Sequence, residues 1–256
     1  MADRIELALR RMPEVDAPSP EAHAPFVPSH NGQVIDLTDG ATLLRLSSNA
    51  ALLNAPKWKM AVKRAVDVVG ASLALVLLSP VFLLSAIAVK LTSPGPVFFA
   101  QPRMGKDGRE FLFYKFRSMQ VGADEERNIL IDLNEMSGPV FKIKADPRLT
   151  SIGRFLRRAS IDELPQLWHV LRGQMSLVGP RPLPTFEALD CSEWEAQRFA
   201  VKPGITCIWQ VSGRSELDFE TWVRMDIRYI ERWSLLRDFK LLAKTIPAVI
   251  SGKGAY

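Results

Sequence analysis

The chain has 256 residues and a formal net charge of +5, which allows one or two domains with a sizeable core. Residues 1–57 hold five Lys/Arg and seven Asp/Glu (net −2), so the remaining 28 basic and 21 acidic residues give the rest a net charge of +7. Such an excess suits phosphates, nucleotides or anionic headgroups. No basic helix carries base-reading residues, so nucleic acid is not expected as a partner, and two cysteines exclude a disulfide framework.

Residues 1–56 are predicted to form a disordered polar tail. Five prolines lie between Pro13 and Pro28, and a segment of this composition buries too little apolar surface to offset the entropy lost on ordering.

Residues 57–93 are predicted to meet a membrane. The run 68–89 has 22 residues without a formal charge, and a straight helix of that length spans roughly 30 Å, the thickness of the hydrocarbon layer. Ser79 and Pro80 break the run, because proline removes one helical N–H. The Ser79 hydroxyl is expected to bond a carbonyl that the proline frees.

Two structures for this segment stay open on the apolar run alone. One is a spanning helix with a proline kink, and the other is a re-entrant hairpin whose two ends return to the same side. Basic residues flank both ends, and cytoplasmic loops are the ones rich in them, which favours the hairpin. The flanking residues closest to the segment are Lys57, Lys59, Lys63, Arg64 and Lys90.

Residues 94–256 are predicted to form a mostly helical α/β domain. Gly105 and Gly108 lie in the predicted turn of a β-hairpin, and hydrophobic spacing predicts helices over residues 150–159 and 164–171, with a weaker one over 124–136. A last helix is predicted over residues 233–250. It mixes apolar and basic residues in a pattern that suits a helix on a membrane surface and equally a helix packed on the protein's own core.

The densest polar block of the chain is residues 157–165. Its charged and hydroxyl residues are Arg157, Arg158, Ser160, Asp162 and Glu163. Ser160 and Glu163 have the spacing of a capping box, and Asp162 alone is also a favourable N-cap, so the block can be simply a helix start. Two adjacent carboxylates beside arginines can also hold a divalent cation against a diphosphate, and an ionised aspartate can attack phosphorus.

Further basic residues lie in stiff or glycine-containing turns and at the end of the predicted β-hairpin. They are Lys115, Arg117, Arg181 and Arg214. The sequence contains no Walker loop, so phosphate binding would depend on such side chains, although each one alone is more often structural. His169 is interpreted as a packing residue, and no Cys/His spacing predicts zinc.

In their order along the chain, these motifs closely resemble those of the bacterial sugar transferases. These are monotopic phosphoglycosyl transferases that move a sugar-1-phosphate from a UDP-sugar onto a polyprenyl phosphate. The resemblance covers about residues 58–256. It rests on residues 157–182, Ser79-Pro80, Lys115-Phe116-Arg117 and Lys202-Pro203-Gly204-Ile205-Thr206.

The resemblance implies a re-entrant membrane helix broken at Ser79-Pro80 and a cytosolic α/β catalytic domain over residues 94–256. The expected location is the cytoplasmic face of the bacterial inner membrane, and the closing residues 252–256 look like members that start exopolysaccharide synthesis. Larger members carry spanning helices and a soluble domain before this core, whereas the polar tail precedes it here. The tail is thus a candidate contact for a polysaccharide-assembly partner or a second copy.

By the same resemblance, Asp162 is the nucleophile and Glu163 its magnesium-binding partner, with manganese as the alternative metal. The expected partners are a UDP-sugar, polyprenyl (undecaprenyl) phosphate and the membrane. The residues expected to bind phosphate or uridine are Arg157, Arg158, Arg181, Lys115, Arg117 and Arg214.

The expected reaction has two steps, in which Asp162 attacks the β-phosphorus, releases UMP and leaves a phosphosugar-aspartyl intermediate for the lipid phosphate. Two rivals stay open: a one-step transferase in which Asp162 only holds metal, and a non-enzymatic membrane adaptor in which it only caps a helix. The sugar also stays open, because glucose and galactose differ at one hydroxyl and no residue visibly distinguishes them.

Overall fold

The computed structural model describes residues 50–127, 129–213, 217–252 and 254. They form a mostly helical fold with two two-stranded sheets, in agreement with the predicted α/β class. The helices are α1 (Lys57–Leu77), α2 (Ser79–Thr92), α3 (Ser151–Arg158), α4 (Gln166–Arg172), α5 (Thr185–Leu189), α6 (Glu193–Ala196), α7 (Phe219–Glu231) and α8 (Leu235–Ser251). The strands are β1 (Phe98–Met104), β2 (Glu110–Phe116), β3 (Ser176–Val178) and β4 (Gly204–Thr206).

Helices α1 and α2 form a helical hairpin that bends by 61° at Leu78. Pro80 lies in the first turn of α2, where a missing N–H breaks no hydrogen bond, and the Ser79 hydroxyl donates to the Val76 carbonyl (2.8 Å), as predicted. No single helix in the described ranges is long and apolar enough to cross a membrane. Among the helices that the structure describes, only the bent pair, taken together, has the length and composition of a broken span or a re-entrant loop.

Three charged residues of α1 fasten the helical hairpin to the rest of the protein. Lys63 Nζ donates to Asp238 Oδ2 of α8 (2.7 Å), and Asp67 Oδ1 accepts from the Ser176 hydroxyl of β3 (3.0 Å). The Arg64 guanidinium donates to two carbonyls in the last turn of α4. Two of the basic residues that flank the predicted membrane segment therefore act inside the protein.

Strands β1 and β2 form the predicted β-hairpin, antiparallel, with Phe98 opposite Phe116. Asp107 in its turn adopts the left-handed conformation (φ 56°), which aspartate tolerates better than most residues. Phe82 of α2 packs against both opposed rings, with centroid separations of 5.8 Å to Phe98 and 4.8 Å to Phe116. The β-hairpin and the helical hairpin therefore share one apolar cluster.

His169 of α4 is buried and holds β2 in place. Its Nε2 accepts from the Tyr114 backbone N–H (3.0 Å), its Nδ1 bonds Gln174 Oε1 (2.8 Å), and its ring stacks on Phe113 and Tyr114. Burial lowers the pKa of His169, which favours the neutral ring that can accept this bond. The interpretation of His169 as a packing residue is confirmed, and the strand that it holds carries Lys115 next to Tyr114.

The helix predicted over residues 124–136 is wrong. This segment instead forms turns with two short 3₁₀ pieces, Glu125–Arg127 and Ile131–Leu133. Asn134 Oδ1 accepts from the backbone N–H groups of Met136 and Lys142, so the side chain offers the backbone an alternative to helical bonds. Among the segment's apolar residues, Ile129 is exposed, so a helix here would gain little buried surface.

The short parallel strands β3 and β4 lie at the centre of the fold, with Ser176 beside Gly204 and Val178 beside Thr206. A Cβ on Gly204 would come within 2.0 Å of the Gly179 nitrogen, so this approach of two backbones requires glycine. The turn that holds Arg181 begins directly after Gly179. Its position is therefore set by backbone contact with β4.

For the last helix, packing on the protein's own core is confirmed, and a place on a membrane surface stays a prediction. One face of α8 packs on the main core through Leu241, which is buried. The opposite side leaves Leu236, Phe239, Ile246 and Ile250 exposed. The helix is therefore anchored in the protein and still presents an apolar stripe outwards.

The predicted tail extends past the point where ordered packing starts. Ala50 and Leu52 are buried in the main core, and the backbone N–H groups of residues 51 and 52 donate to carbonyls at the end of α7. Residues 50–55 thus belong to the folded body. The remainder of the predicted tail, residues 1–49, lies outside the described residues.

Candidate active site

A cavity of about 830 Å³ opens between the helical hairpin, the β-hairpin, α3, the turn before α4 and α8. It brings together charged side chains that are far apart in the sequence. Those lining it include Arg103, Lys115, Arg127, Asp146, Arg148, Arg157, Asp162, Glu163, Arg181 and Glu187. Of the residues predicted for the site, the cavity therefore gathers Asp162, Glu163, Arg157, Arg181 and Lys115.

The two adjacent carboxylates lie on a 3₁₀ turn, Ile161–Glu163, between α3 and α4. Neither predicted cap forms: Ser160 is left-handed (φ 55°) and makes no capping bond, and α4 begins after Pro165. Pro165 is the residue directly before α4. Because Asp162 does not cap a helix, its carboxylate is available to the cavity.

Glu163 is paired with Arg181. Arg181 Nη1 donates to Glu163 Oε2 (3.1 Å) and Nη2 donates to Oε1, a two-pronged pair of the kind that fixes both geometry and charge. Burial alone would raise the pKa of Glu163, but the Arg181 guanidinium outweighs it and holds that pKa below its usual value. Glu163 is therefore ionised at neutral pH.

Asp162 differs from its neighbour. It is buried, and no described residue donates a hydrogen bond to its carboxylate or forms an ion pair with it. Burial and the negative charge of Glu163 raise its pKa, against the opposing effect of Arg157, Lys115 and Arg181. A buried carboxylate without a bonded partner is costly to keep ionised, and such residues concentrate at functional sites.

Positive charge faces Asp162 from two elements. Lys115 of β2 has a pKa lowered to about 7, mainly by burial and then by the neighbouring Arg157 and Arg103. Its Nζ lies 4.9 Å from the centroid of the Phe99 ring. Arg157 of α3 donates through Nε to the Ser118 hydroxyl (2.9 Å), which orients the guanidinium. These clustered positive side chains predict an anionic ligand.

Two residues predicted for phosphate or uridine binding are not brought to the cavity, and a third lies outside the described residues. Arg158 is exposed at the end of α3 and does not line it. Arg117 is buried elsewhere, because its guanidinium donates to the Pro96 carbonyl (2.6 Å) and to both the hydroxyl and the carbonyl of Ser93. It fastens the loop after α2. Arg214 lies outside the described residues.

Residues 58–252 match the family model described as bacterial sugar transferase. The chain belongs to this family. It is 43% identical over 194 residues to a galactosyl transferase, CpsE, of Streptococcus agalactiae, which covers 75% of this chain and 43% of the relative. It is 40% identical over 198 residues to the exopolysaccharide production protein ExoY of Rhizobium meliloti, covering 76% and 88% of the two chains.

A third sugar transferase relative is the undecaprenyl-phosphate galactose phosphotransferase of Salmonella typhimurium. It is 37% identical over 242 residues, covering 90% of this chain and 50% of the relative. The chain thus spans half or less of the CpsE and Salmonella proteins and most of ExoY.

Sequence reasoning missed several charged residues of this sugar transferase cavity, among them Arg103, Asp146 and Arg148. Arg103 donates through Nη1 to the Pro182 carbonyl (2.6 Å), and burial together with Arg181 lowers its pKa to about 10. Asp146 and Arg148 form a buried fork, with Nη2 to Oδ2 at 2.6 Å. Arg103 lies inside a strand and the other two lie in a loop. No local pattern announces them.

A buried ion pair supports Arg181 from behind. Arg198 Nη2 donates to the Arg181 carbonyl (3.1 Å) and to Asp226 Oδ2 (2.6 Å), and both members of the pair are 1% exposed. With Arg103 on the next carbonyl, two guanidiniums hold the backbone of the Pro180–Pro182 turn. The Arg181 fork on Glu163 therefore rests on a fixed backbone.

A magnesium site can be judged from the donors present. In the described part of the chain, no group of three or more His, Cys, Asp or Glu side chains could hold a metal by itself. Asp162 and Glu163 nevertheless supply hard carboxylate oxygens at the cavity. Magnesium is commonly bound by one or two carboxylates, with water and substrate phosphate completing its shell. The donors fit a metal that binds together with a phosphate.

The other wall of the cavity is apolar. It is made by Ala74, Leu78 and Val81 at the bend of the helical hairpin and by Ile246 and Ile250 of α8. The charged and apolar walls meet in one cavity, so a ligand with a phosphate head and a hydrocarbon tail would find both complements there.

Proposed function

We propose that this sugar transferase moves a sugar-1-phosphate from a UDP-sugar to a polyprenyl phosphate and releases UMP. One observation carries the proposal: the buried carboxylate of Asp162, faced by the positive charges of Lys115, Arg157 and Arg181. The names of several relatives support it, among them an undecaprenyl-phosphate glucose phosphotransferase of Komagataeibacter xylinus, 42% identical over 211 residues.

The reaction proceeds in two displacements. An Asp162 oxygen attacks the β-phosphorus of the UDP-sugar, and the bond from that phosphorus to the bridging oxygen breaks, so UMP leaves with the electron pair. The sugar-phosphate is then joined to Asp162 as an acyl phosphate. An oxygen of the polyprenyl phosphate attacks the same phosphorus and the bond to Asp162 breaks. The products are the polyprenyl diphosphate sugar and a restored carboxylate.

The other charged residues offset the repulsion between the Asp162 carboxylate and the phosphates of the substrates. Arg157 and Lys115 offset the charge of the donor's phosphates and that of the phosphoryl group in transfer. Arg181 keeps Glu163 ionised and in a fixed position beside Asp162. Asp162 and Glu163 would hold magnesium, or manganese in its place, which neutralises diphosphate charge when bound.

The apolar surfaces support a membrane location. Leu77 and Leu84 on either side of the bend are 74% and 67% exposed, and Ile250 of α8 is 81% exposed. Each arm of the apolar run is too short to span alone, and the two arms meet at a bend of 61° at Leu78. We place the helical hairpin as a re-entrant segment at the cytoplasmic face, with the apolar wall of the cavity open to the lipid.

Covalent labelling tests the two-step reaction. Enzyme incubated with a UDP-sugar labelled in the sugar, without lipid, should acquire label and release UMP. Asp162→Asn should do neither, whereas Asp132→Asn, an exposed aspartate outside the cavity, should label as the unaltered protein does. UMP release only on addition of lipid supports the one-step rival, and no release in any condition supports the adaptor.

Site-directed thiol labelling tests the re-entrant placement. Met60 before the bend and Arg109 after it are exposed, and the natural Cys191 and Cys207 are buried. In intact membranes, Met60→Cys and Arg109→Cys should react with an impermeant reagent from the same, cytoplasmic side. Reaction from opposite sides would establish a spanning helix instead.

A further inference from the structure

A cluster of two aromatic rings and a guanidinium lines the same cavity apart from the acidic pair. It consists of Arg127, Phe141 and Phe186, and we refer to it as the aromatic cluster. Arg127 Cζ lies 4.5 Å from the centroid of the Phe186 ring and 5.2 Å from that of Phe141. Neither ring is part of the three apolar core clusters among the described residues.

The aromatic cluster is tied by a short, stiff segment to the turn that holds Arg181. Phe186 follows Arg181 by five residues, and Pro182 and Pro184 lie between them. The Phe141 backbone N–H donates to Glu187 Oε1 (3.2 Å), so the second ring is held beside the first. Arg181 and the aromatic cluster therefore keep a set spacing along one wall.

The aromatic cluster has binding capacity that the protein itself does not use. Phe186 is 41% exposed although it borders a deep cavity. Arg127 Nε is buried and has no hydrogen-bond partner in the part of the chain that the structure describes. A flat ring face beside an unpaired N–H donor is complementary to a flat group that carries a carbonyl oxygen.

Further charged residues line the cavity together with the acidic pair and this cluster. Arg157, beside Asp162, has Asp146 and Arg148 as its further charged neighbours. Arg148 Cζ in turn lies 5.2 Å from the centroid of the Phe141 ring. A ligand whose phosphates lie at Arg157 and Arg181 can therefore extend along Arg148 to the aromatic cluster.

We propose that the aromatic cluster is the nucleobase subsite of the donor. The base stacks on the exposed ring of Phe186, and Arg127, which lies over both rings, donates hydrogen bonds to the carbonyl oxygens of the base. The apolar wall at the bend and α8 is left for the lipid, so the two substrates approach Asp162 along different walls. The identification of the base as uracil rests on the proposed function.

Equilibrium binding of two ligands that differ only in the base gives the test. UMP and ribose 5-phosphate should be titrated against Phe186→Ala and the unaltered protein by calorimetry. We expect about tenfold weaker UMP binding in the variant, because stacking on one aromatic side chain contributes that order of affinity. The affinity for ribose 5-phosphate should stay unchanged. Phe155→Ala, at an exposed phenylalanine outside the cavity, is the matched control and should alter neither.

Two further substitutions separate ring stacking from plain apolar contact. Phe186→Tyr keeps the ring and should retain UMP affinity, whereas Phe186→Leu keeps apolar area without a ring face and should lose it as Phe186→Ala does. Full UMP affinity in Phe186→Leu would overturn the proposal and point to a hydrocarbon ligand instead. Equal weakening for both ligands in Phe186→Ala, or none for either, would also overturn it.

These outcomes are independent of the proposed reaction. Binding needs neither lipid nor turnover, so a selective loss of UMP affinity upholds the subsite even if no sugar-phosphate ever appears on Asp162. Conversely, label on Asp162 with unchanged UMP affinity in Phe186→Ala upholds the reaction and refutes the subsite.

Discussion

Two of the clusters of buried charge among the described residues have very different hydrogen bonding. In the cluster that joins α1 to α8, Asp238 accepts from Lys63 (2.7 Å), Tyr229 (2.8 Å) and Trp233 (3.0 Å), and Lys63 also donates to the Val178 carbonyl (3.0 Å). Every charge there has bonded partners. In the cavity, Asp162 has none among the described residues.

The difference separates a structural from a chemical role. Removing one partner of a fully bonded buried pair leaves the other charge uncompensated, so such a cluster holds two helices together. A buried carboxylate without hydrogen bonds does not stabilise the fold, and its lone pairs remain available to a ligand. Composition does not reveal this, because both clusters contain an aspartate and a lysine. Substitutions in the two clusters are therefore expected to have opposite effects on activity and stability.

The largest expected effect is on catalysis. Asp162→Asn should lower the transfer rate by roughly a thousandfold or more, since loss of a covalent nucleophile costs at least that. Stability should not fall. The pKa of Asp162 is raised in the folded state, so its ionisation disfavours folding as pH rises through and above the usual aspartate range, and the amide removes that cost. Rate assays check the predicted loss of transfer, and thermal unfolding at pH 7 checks the stability.

Asp238→Asn should show the reverse pattern. We expect a loss of about 3 kcal/mol or more in the free energy of unfolding, because the Lys63 charge stays buried without its counter-ion. Denaturant unfolding in detergent measures it, with Asp132→Asn again as the exposed control. Molecules that remain folded should transfer at a near-normal rate. A folded but inactive Asp238→Asn would show that the two clusters are not separate in function.

Lys115 allows a test of the cavity through one of its basic residues. Its pKa of about 7 means that the free enzyme loses this positive charge as pH rises past neutrality, so kcat/KM for the UDP-sugar should fall about tenfold by pH 8. Lys115→Arg keeps its charge and should flatten that fall. A profile that is identical in both proteins would assign the titration to another group.

The smallest effect is expected at the bend. Ser79→Ala removes the bond to the Val76 carbonyl and should cost about 1 kcal/mol of unfolding free energy. Ser72→Ala, at an exposed serine of α1, is the control and should cost less. Melting temperatures in detergent and in bilayers compare the two, and a larger loss for Ser72→Ala would contradict the role assigned to Ser79.

The parts of the fold that sequence could predict are those with local signals. Proline chemistry marks the bend at Ser79, glycines mark the β-hairpin turn, and a capping threonine precedes α3. The carboxylate pair was also recognisable, although its cap was not real. Its neighbours in the cavity were harder, because Arg103, Asp146 and Arg148 arrive through tertiary contacts that leave no local pattern.

Lys115 and Arg117 illustrate where local patterns stop. They are two residues apart, so strand alternation would place them on the same face and give them one role. The strand ends at Phe116, however, and Arg117 turns to Ser93 instead of the cavity. Two basic residues of the same motif thus have different roles: Arg117 holds a loop, and Lys115 lines the cavity that is expected to bind an anion.

The bond between Lys63 and Asp238 also has a consequence for how the protein is made. The two residues are 175 positions apart, and the ribosome delivers Lys63 long before Asp238 exists. Until the last helix has folded, α1 carries the Lys63 ammonium group without its counter-ion. Final docking of α1 is therefore a late event, and synthesis that stops before residue 235 leaves Lys63 without its ion pair.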